Sequence, residues 1–314
     1  MAAGAGQFIE ASDYNTIRAK IAEVMAVGSA SYGYGQNLIS NTVEYASPAS
    51  IPSETLEQKA KRQITKAQWD ALRFDLINAR VHQLDVVPVL TEVSTTDPIR
   101  YGASHPNSQY NTMAEQIKTD RFLLAPGQSI VTARANQTFS SAWSSTVSCT
   151  LTVTFTTADQ ARYFWNSGGR IRFLSSRTGG SAVAQNTAWT SLLDSVGSID
   201  FSATSTGLSV YNLTTNYQNW KTNSSSNPYQ NNTYSIQVKS DVANSTGNAR
   251  IFYFNVIWAD GYVDPGTPAP GDQVDGTLTL SVSEIRASGA LYPDLIPGSF
   301  AITPPTSYSL TSIS

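Results

Sequence analysis

The sequence is poor in the residues that carry most enzymatic chemistry. Its 314 residues include one cysteine and two histidines. A lone cysteine closes no internal disulfide, so no oxidising compartment is implied. A catalytic thiol at Cys149 would need His82 or His105 as its partner. The strand-like setting Val147-Ser148-Cys149-Thr150-Leu151 reads instead as a buried, inert thiol. So few histidines and cysteines leave little for a transition-metal site or a nucleophile–histidine pair. Charge is scarce too: 14% of residues are charged, against roughly 25% in ordinary domains. The formal net charge is −3, so the basic stripe of a nucleic-acid binder is missing. Two short basic runs, Lys59-Lys61-Arg62 and Arg170-Arg172, read as solvated faces. No apolar run is long enough to span a bilayer. Met1–Gln7 shows neither a basic nor an apolar targeting region, so synthesis in the cytoplasm is expected and the Asn-x-Ser/Thr sequons are not read as glycan sites.

What the chain does have is 40% apolar and 10% aromatic residues, with Ser, Thr, Asn and Gly in place of charge. That mixture suits strands joined by tight turns rather than disorder. The expected fold class is α+β: a small helical N-terminal region followed by a β-rich, sandwich-like domain with short helices packed on the sheet.

Helical spacing of Tyr14, Ile17, Ile21 and Val24 predicts a helix over 12–27, stopped by Gly28. The Tyr/Gly run Tyr32-Gly33-Tyr34-Gly35 reads as a flexible loop with rigid rings. Thr65-Lys66-Ala67-Gln68 is a capping box, with Ile64 and Trp69 as a hydrophobic staple. It opens a helix to about His82 whose other side carries Asp70, Arg73, Asp75 and Arg80, with Asp70 and Arg73 as an i,i+3 pair. His82, at the helix end, is a candidate base or ligand, or a capping or surface residue favoured by the helix dipole. A third helix is expected over 108–120.

After Ala125-Pro126-Gly127-Gln128 strands dominate, expected at 130–135, 147–156, 170–176, 198–203, 233–240, 249–259 and 276–286. The 249–259 strand is apolar on both faces and should be central. A second capping box at Thr157–Gln160 opens a helix ending at Asn166-Ser167-Gly168-Gly169, and Asn186 or Thr187 opens another. The division read from this is 1–125 as a helical docking region, 126–291 as the β-rich domain, and 292–314 as a Pro-rich extended tail. Such a tail is expected to be loose in a monomer and to lie along a neighbour in an assembly.

No catalytic pattern stands out. Two acids suffice for a glycosidase, but Glu10, Glu23, Glu44, Glu54, Glu57, Glu92, Glu115 and Glu284 sit in no diagnostic spacing. The chain is therefore expected not to be an enzyme, with no cofactor and no metal. Asp260, Asp264, Asp272 and Asp275 lie in a Gly/Pro-rich stretch that could offer calcium oxygen ligands; the simpler reading is an acidic hairpin loop.

The stretch Thr157-Ala158-Asp159-Gln160-Ala161-Arg162-Tyr163-Phe164-Trp165-Asn166-Ser167-Gly168-Gly169-Arg170-Ile171-Arg172-Phe173 resembles virion structural proteins of tailed phages, especially cyanophages and T4-like marine phages. There a helix leads into Phe-Asn-Ser-Gly-Gly and a strand; here Trp165 stands in place of the usual Phe. Gln185-Asn186-Thr187-Ala188-Trp189, Val274-Asp275-Gly276-Thr277-Leu278 and the N-terminal Asp13-Tyr14-Asn15 and Gln68-Trp69 are similar to the same proteins. The resemblance implies a structural component of a phage particle, in the neck, tail or baseplate. It would act by assembly with copies of itself and other virion proteins, as a homo-oligomer without nucleic acid or membrane. Tyr32, Tyr34, Asp70, Arg73, Arg80 and Tyr308 are the candidate interface residues. The alternative is a receptor- or glycan-binding fibre module, in which exposed Trp165, Trp189 or Trp220 would stack on sugars; the competing reading puts those rings in the core.

Overall fold

The computed structural model describes residues 11–43, 64–93, 106–263, 273–288, 300 and 302–314. The fold is α+β. Five helices lie among these residues: α1 (Ala11–Met25), α2 (Lys66–Leu84), α3 (Pro106–Thr119), α4 (Ala158–Asn166) and α5 (Ala184–Val196). Nine strands accompany them: β1 (Ser129–Phe139), β2 (Thr146–Thr154), β3 (Arg170–Thr178), β4 (Ser198–Phe201), β5 (Gln218–Ser224), β6 (Thr233–Ser240), β7 (Ile251–Ala259), β8 (Thr277–Ala287) and β9 (Ser307–Leu310). They fall into two units, one of Met1–Ser129 with Ala287–Ile302, the other of Ile130–Arg286 with Thr303–Ser314.

The helical unit is built on the apolar faces of α1, α2 and α3. Tyr14, Trp69 and Tyr110 form its aromatic centre, in edge-to-face pairs with ring centroids 5.4 and 5.5 Å apart, the geometry that aromatic quadrupoles favour. The α2 capping box forms as expected: Thr65 accepts from the Gln68 amide and the Gln68 side chain accepts from the Thr65 N–H. The helix continues past His82 to Leu84, where Asp85 caps it in the left-handed conformation (φ 59°).

Two expectations in this unit change. The Tyr/Gly run is not a free loop but closes the C-terminus of α1, with Gly35 and Gln36 donating to the carbonyls of Ala26 and Met25. Gly33 is required there: at φ +98° a Cβ would stand 2.2 Å from the Val27 carbonyl oxygen. Asp75, placed by spacing on the solvated side of α2, is 1% exposed. Its carboxylate accepts from the Ile39 N–H, the Ser40 N–H and the Ser40 hydroxyl at 2.9, 2.9 and 2.5 Å, anchoring the descending loop to the helix.

Burial, opposed by these hydrogen bonds, raises the Asp75 pKa. An acid whose folded pKa is raised contributes stability that is full below its unfolded pKa, about 3.9, and is lost as pH rises through the folded value. Wild type should therefore gain stability relative to Asp75→Asn as pH is lowered from 7 toward 4. Thermal melts of both proteins across that range check this, and parallel curves contradict it.

In the second unit the sheets have strand orders β1-β8-β3-β4 and β5-β6-β7-β2-β9. β7 lies at the centre of the five-stranded sheet, pairing antiparallel with β2 on one side and β6 on the other. The sheets face each other through aromatic rings: Phe173 of β3 and Phe201 of β4 meet Phe254 of β7 at 5.1 and 5.2 Å, and Phe201 meets Trp220 of β5 at 5.0 Å. β2, β3, β6, β7 and most of β8 alternate buried residues with more exposed ones, the period-two pattern of a half-buried strand. Thr157 caps α4 by accepting from the Gln160 N–H at 3.1 Å, without the reciprocal bond of a full box. α5 begins at Ala184 rather than at Asn186 or Thr187.

Of the segment expected to be a loose tail, Thr303–Ser314 belongs to this unit. β9 pairs with β2, and the main chains of Ser148 and Ser314 exchange hydrogen bonds at 2.9 and 3.1 Å. The prolines Pro293 and Pro297, on which the tail reading partly rested, lie outside the described residues.

Candidate interface surfaces

The six residues expected at interfaces fall in different settings. Tyr34 is fully buried. Its hydroxyl donates to the Arg121 carbonyl at 2.5 Å and accepts from Gln83 Nε2 at 3.2 Å. Its ring packs on His82 and Phe300 at 5.1 and 5.9 Å. This phenol belongs to the core, and burial holds its pKa well above the usual value. Tyr32 stays half-exposed, with the Arg121 guanidinium 4.4 Å and the Lys118 ammonium 5.2 Å from its ring. His82 is not at the surface: it is 3% exposed and stacks on Phe300 at 4.7 Å.

The expected Asp70–Arg73 pair does not form. Asp70 pairs with Lys66 one turn earlier at 2.5 Å. Arg73 turns toward the extended segment after α2, donating to the Leu90 carbonyl at 3.0 Å and pairing with Glu92 at 3.2 Å. Arg80 pairs with Asp120 at 2.5 Å, just past the end of α3. Both arginines thus tie neighbouring segments of their own unit to α2.

A surface that the sequence reading passed over lies beside them. Leu84, Val86, Val87 and Val89 are 39%, 55%, 44% and 97% exposed, and Leu123 is 40% exposed. The segment is held in place by the αL cap at Asp85, by Gln128 Nε2 donating to the Asp85 carboxylate at 2.6 Å, and by the Ala125 N–H donating to the His82 carbonyl at 3.0 Å. The signal was present in Val86-Val87-Pro88-Val89, a short apolar run with no helical or strand period to bury it.

In the second unit, Tyr308 of β9 joins a buried charge cluster. Glu284 of β8 is fully buried. One carboxylate oxygen accepts from Arg134 at 2.5 Å and from Arg286 at 3.0 Å, and the other accepts from the Tyr308 hydroxyl at 2.5 Å. The Arg134 guanidinium also lies 5.4 Å from the Tyr308 ring. Burial and then the bond to Glu284 push the Tyr308 pKa far up, so the phenol stays protonated and donating. Because β8 and β9 belong to different sheets, this bond ties one sheet to the other.

No protein-family model, curated protein or solved structure matches this chain.

The remaining candidates settle into structural roles. Cys149 is buried, and burial pushes its thiol up to about 12, far from a nucleophile's range. Of the four aspartates considered for calcium, Asp264 and Asp272 lie outside the described residues. Asp260 accepts from Gln185 Nε2 at 2.8 Å. Asp275 accepts from the Ser181 N–H and hydroxyl and from Asn186, which lowers its pKa. Among the described residues no three potential ligands gather into a metal-sized group, and no helix is long and apolar enough to cross a membrane. Trp165, Trp189 and Trp220 are 1%, 0% and 7% exposed, so none of the three offers a ring to a sugar.

The string Thr157–Phe173 is itself a packing device. Trp165 sits among Phe155, Phe164, Phe201 and Phe252. Gly169 lies where a Cβ would stand 2.3 Å from the Phe164 carbonyl oxygen. The motif holds helix to strand within the unit.

Proposed function

We propose that the chain is a non-enzymatic structural subunit of a tailed-phage virion, in the neck, tail or baseplate, that acts by assembling with further copies of itself. The observation that carries the assembly part is the exposed apolar segment Leu84–Val89 with Leu123 beside it. Contiguous exposed apolar surface marks interaction sites, and this one is held in a fixed direction by the Asp85 cap and its bond to Gln128. The phage assignment is supported by the resemblance around Asn166-Ser167-Gly168-Gly169.

Sedimentation velocity of the full chain against the double variant Val87→Asp, Val89→Asp tests this. Wild type should associate with rising concentration, and the variant should sediment as a monomer with an unchanged circular dichroism spectrum. Equal association of both proteins, or a wild type that stays monomeric at every concentration, rules the surface out.

A further inference from the structure

The edge strands of the two sheets are not alike. β4 and β9 are four residues long, and β5 is broken by the register shift between Asn219 and Lys221. Short and bulged edge strands offer little for another strand to pair with. β1, outermost in the order β1-β8-β3-β4, is different. It runs for 11 residues with no proline and no buried position. Its single charge, Arg134, is taken up by Glu284. Ile130 and Val131, at its start, are 41% and 56% exposed. Among the described residues no main-chain hydrogen bond reaches β1 from the side away from β8. A row of unpaired N–H and C=O groups is matched by one kind of partner, another extended main chain.

The helical unit carries a segment with the same shortage. Val86–Val89 lies outside every helix and strand, and Pro88 disfavours a helical conformation at Val87. Among the described residues no hydrogen bond engages the main chain of Val86, Val87 or Val89. The free stretch ends there: the Leu90 carbonyl accepts from Arg73, the Thr91 N–H donates to Gln109, and the Thr91 carbonyl accepts from Tyr110. Alternate residues of an extended chain direct their main-chain groups to the same side. Val87 and Val89 can therefore offer both N–H and C=O to a neighbour while Pro88, which has no N–H to give, faces away, as proline must in a sheet.

We infer that Val86–Val89 of one copy adds as a strand to the free edge of β1 in the next copy. This names the partner of the exposed apolar segment and rests on the assembly reading above. The Val87 and Val89 side chains then share one face of the extended sheet, where an apolar residue from the start of β1 can cover them. The contact joins two different surfaces of the chain. It therefore repeats head to tail, closing a ring if the rotation permits and extending a filament if it does not.

The test uses a second double variant, Val131→Asp, Ala133→Asp, at two exposed positions of β1. In sedimentation velocity the full chain with these changes should be monomeric, with an unchanged circular dichroism spectrum. Mixed with the Val87→Asp, Val89→Asp protein it should form 1:1 dimers and nothing larger, because each variant keeps the surface that the other has lost. Hydrogen exchange of the wild type is the second measurement: amides at 130–133 and at Val86, Val87 and Val89 should slow together as concentration rises. Association of the β1 variant equal to wild type, a mixture that stays monomeric, or exchange that slows at Val86–Val89 but not in β1 each overturns the pairing and leaves the apolar segment as an assembly surface of another kind. A wild type that stays monomeric at every concentration removes both.

Discussion

Replacing Trp165 with alanine is expected to destabilise the strand-rich unit by about 3–5 kcal/mol, the range for deleting a large buried aromatic. Trp165 is 1% exposed and lies 5.0 to 6.3 Å from four phenylalanine rings. Phe201 and Phe252 reach it from parts of the chain distant in sequence, so local collapse cannot fill the space it leaves. Trp165→Phe should cost much less, since a ring is retained. Denaturant unfolding followed by circular dichroism measures both. A loss below about 1 kcal/mol for Trp165→Ala would place the residue outside any cooperative core.

Glu284→Ala should have the next largest effect. Breaking a buried ion pair by removing one partner costs about 3–5 kcal/mol. Arg134 and Arg286 retain 26% and 22% side-chain exposure, so water can rehydrate them and roughly 2–4 kcal/mol is the better expectation. Tyr308→Phe removes one hydrogen bond and should cost about 1–3 kcal/mol, because a buried carboxylate oxygen is left without its donor. The two changes share a contact, so their effects should be non-additive by about 0.5 kcal/mol or more. Hydrogen exchange in β9 should rise in both variants, because the phenol is what ties β9 to the opposite sheet. Unchanged exchange in Ser307–Leu310 would contradict the clip.

Much of this fold was legible because local rules and tertiary packing agree. The α2 capping box, the period-two strands β2 and β8 and the central position of β7 all follow from residue spacing. What was not legible depends on contacts distant in sequence. Asp75 falls on the polar side by helical phase, yet the N–H groups of residues 39 and 40 descend on it. Arg73 lies three residues from Asp70, yet it reaches a segment that follows the helix. β5 escapes a period-two reading because a register shift between Asn219 and Lys221 breaks its alternation. β9 is four residues long with no buried position, and only its pairing with β2 defines it. Tyr32 and Tyr34 look equivalent as letters; the turn that closes α1 sends one inward and leaves the other at the surface. The valines at 86, 87 and 89 follow no helical or strand period, and the packing around α2 leaves all three exposed.

The central claim, that this chain is a building block of a phage particle, is tested most directly by electron microscopy of virions from the chain's source, decorated with gold-labelled antibodies against it. The account predicts gold at the neck, tail or baseplate, at one fixed position in every particle. Undecorated virions, with the chain recovered only as free protein in the lysate, would contradict it.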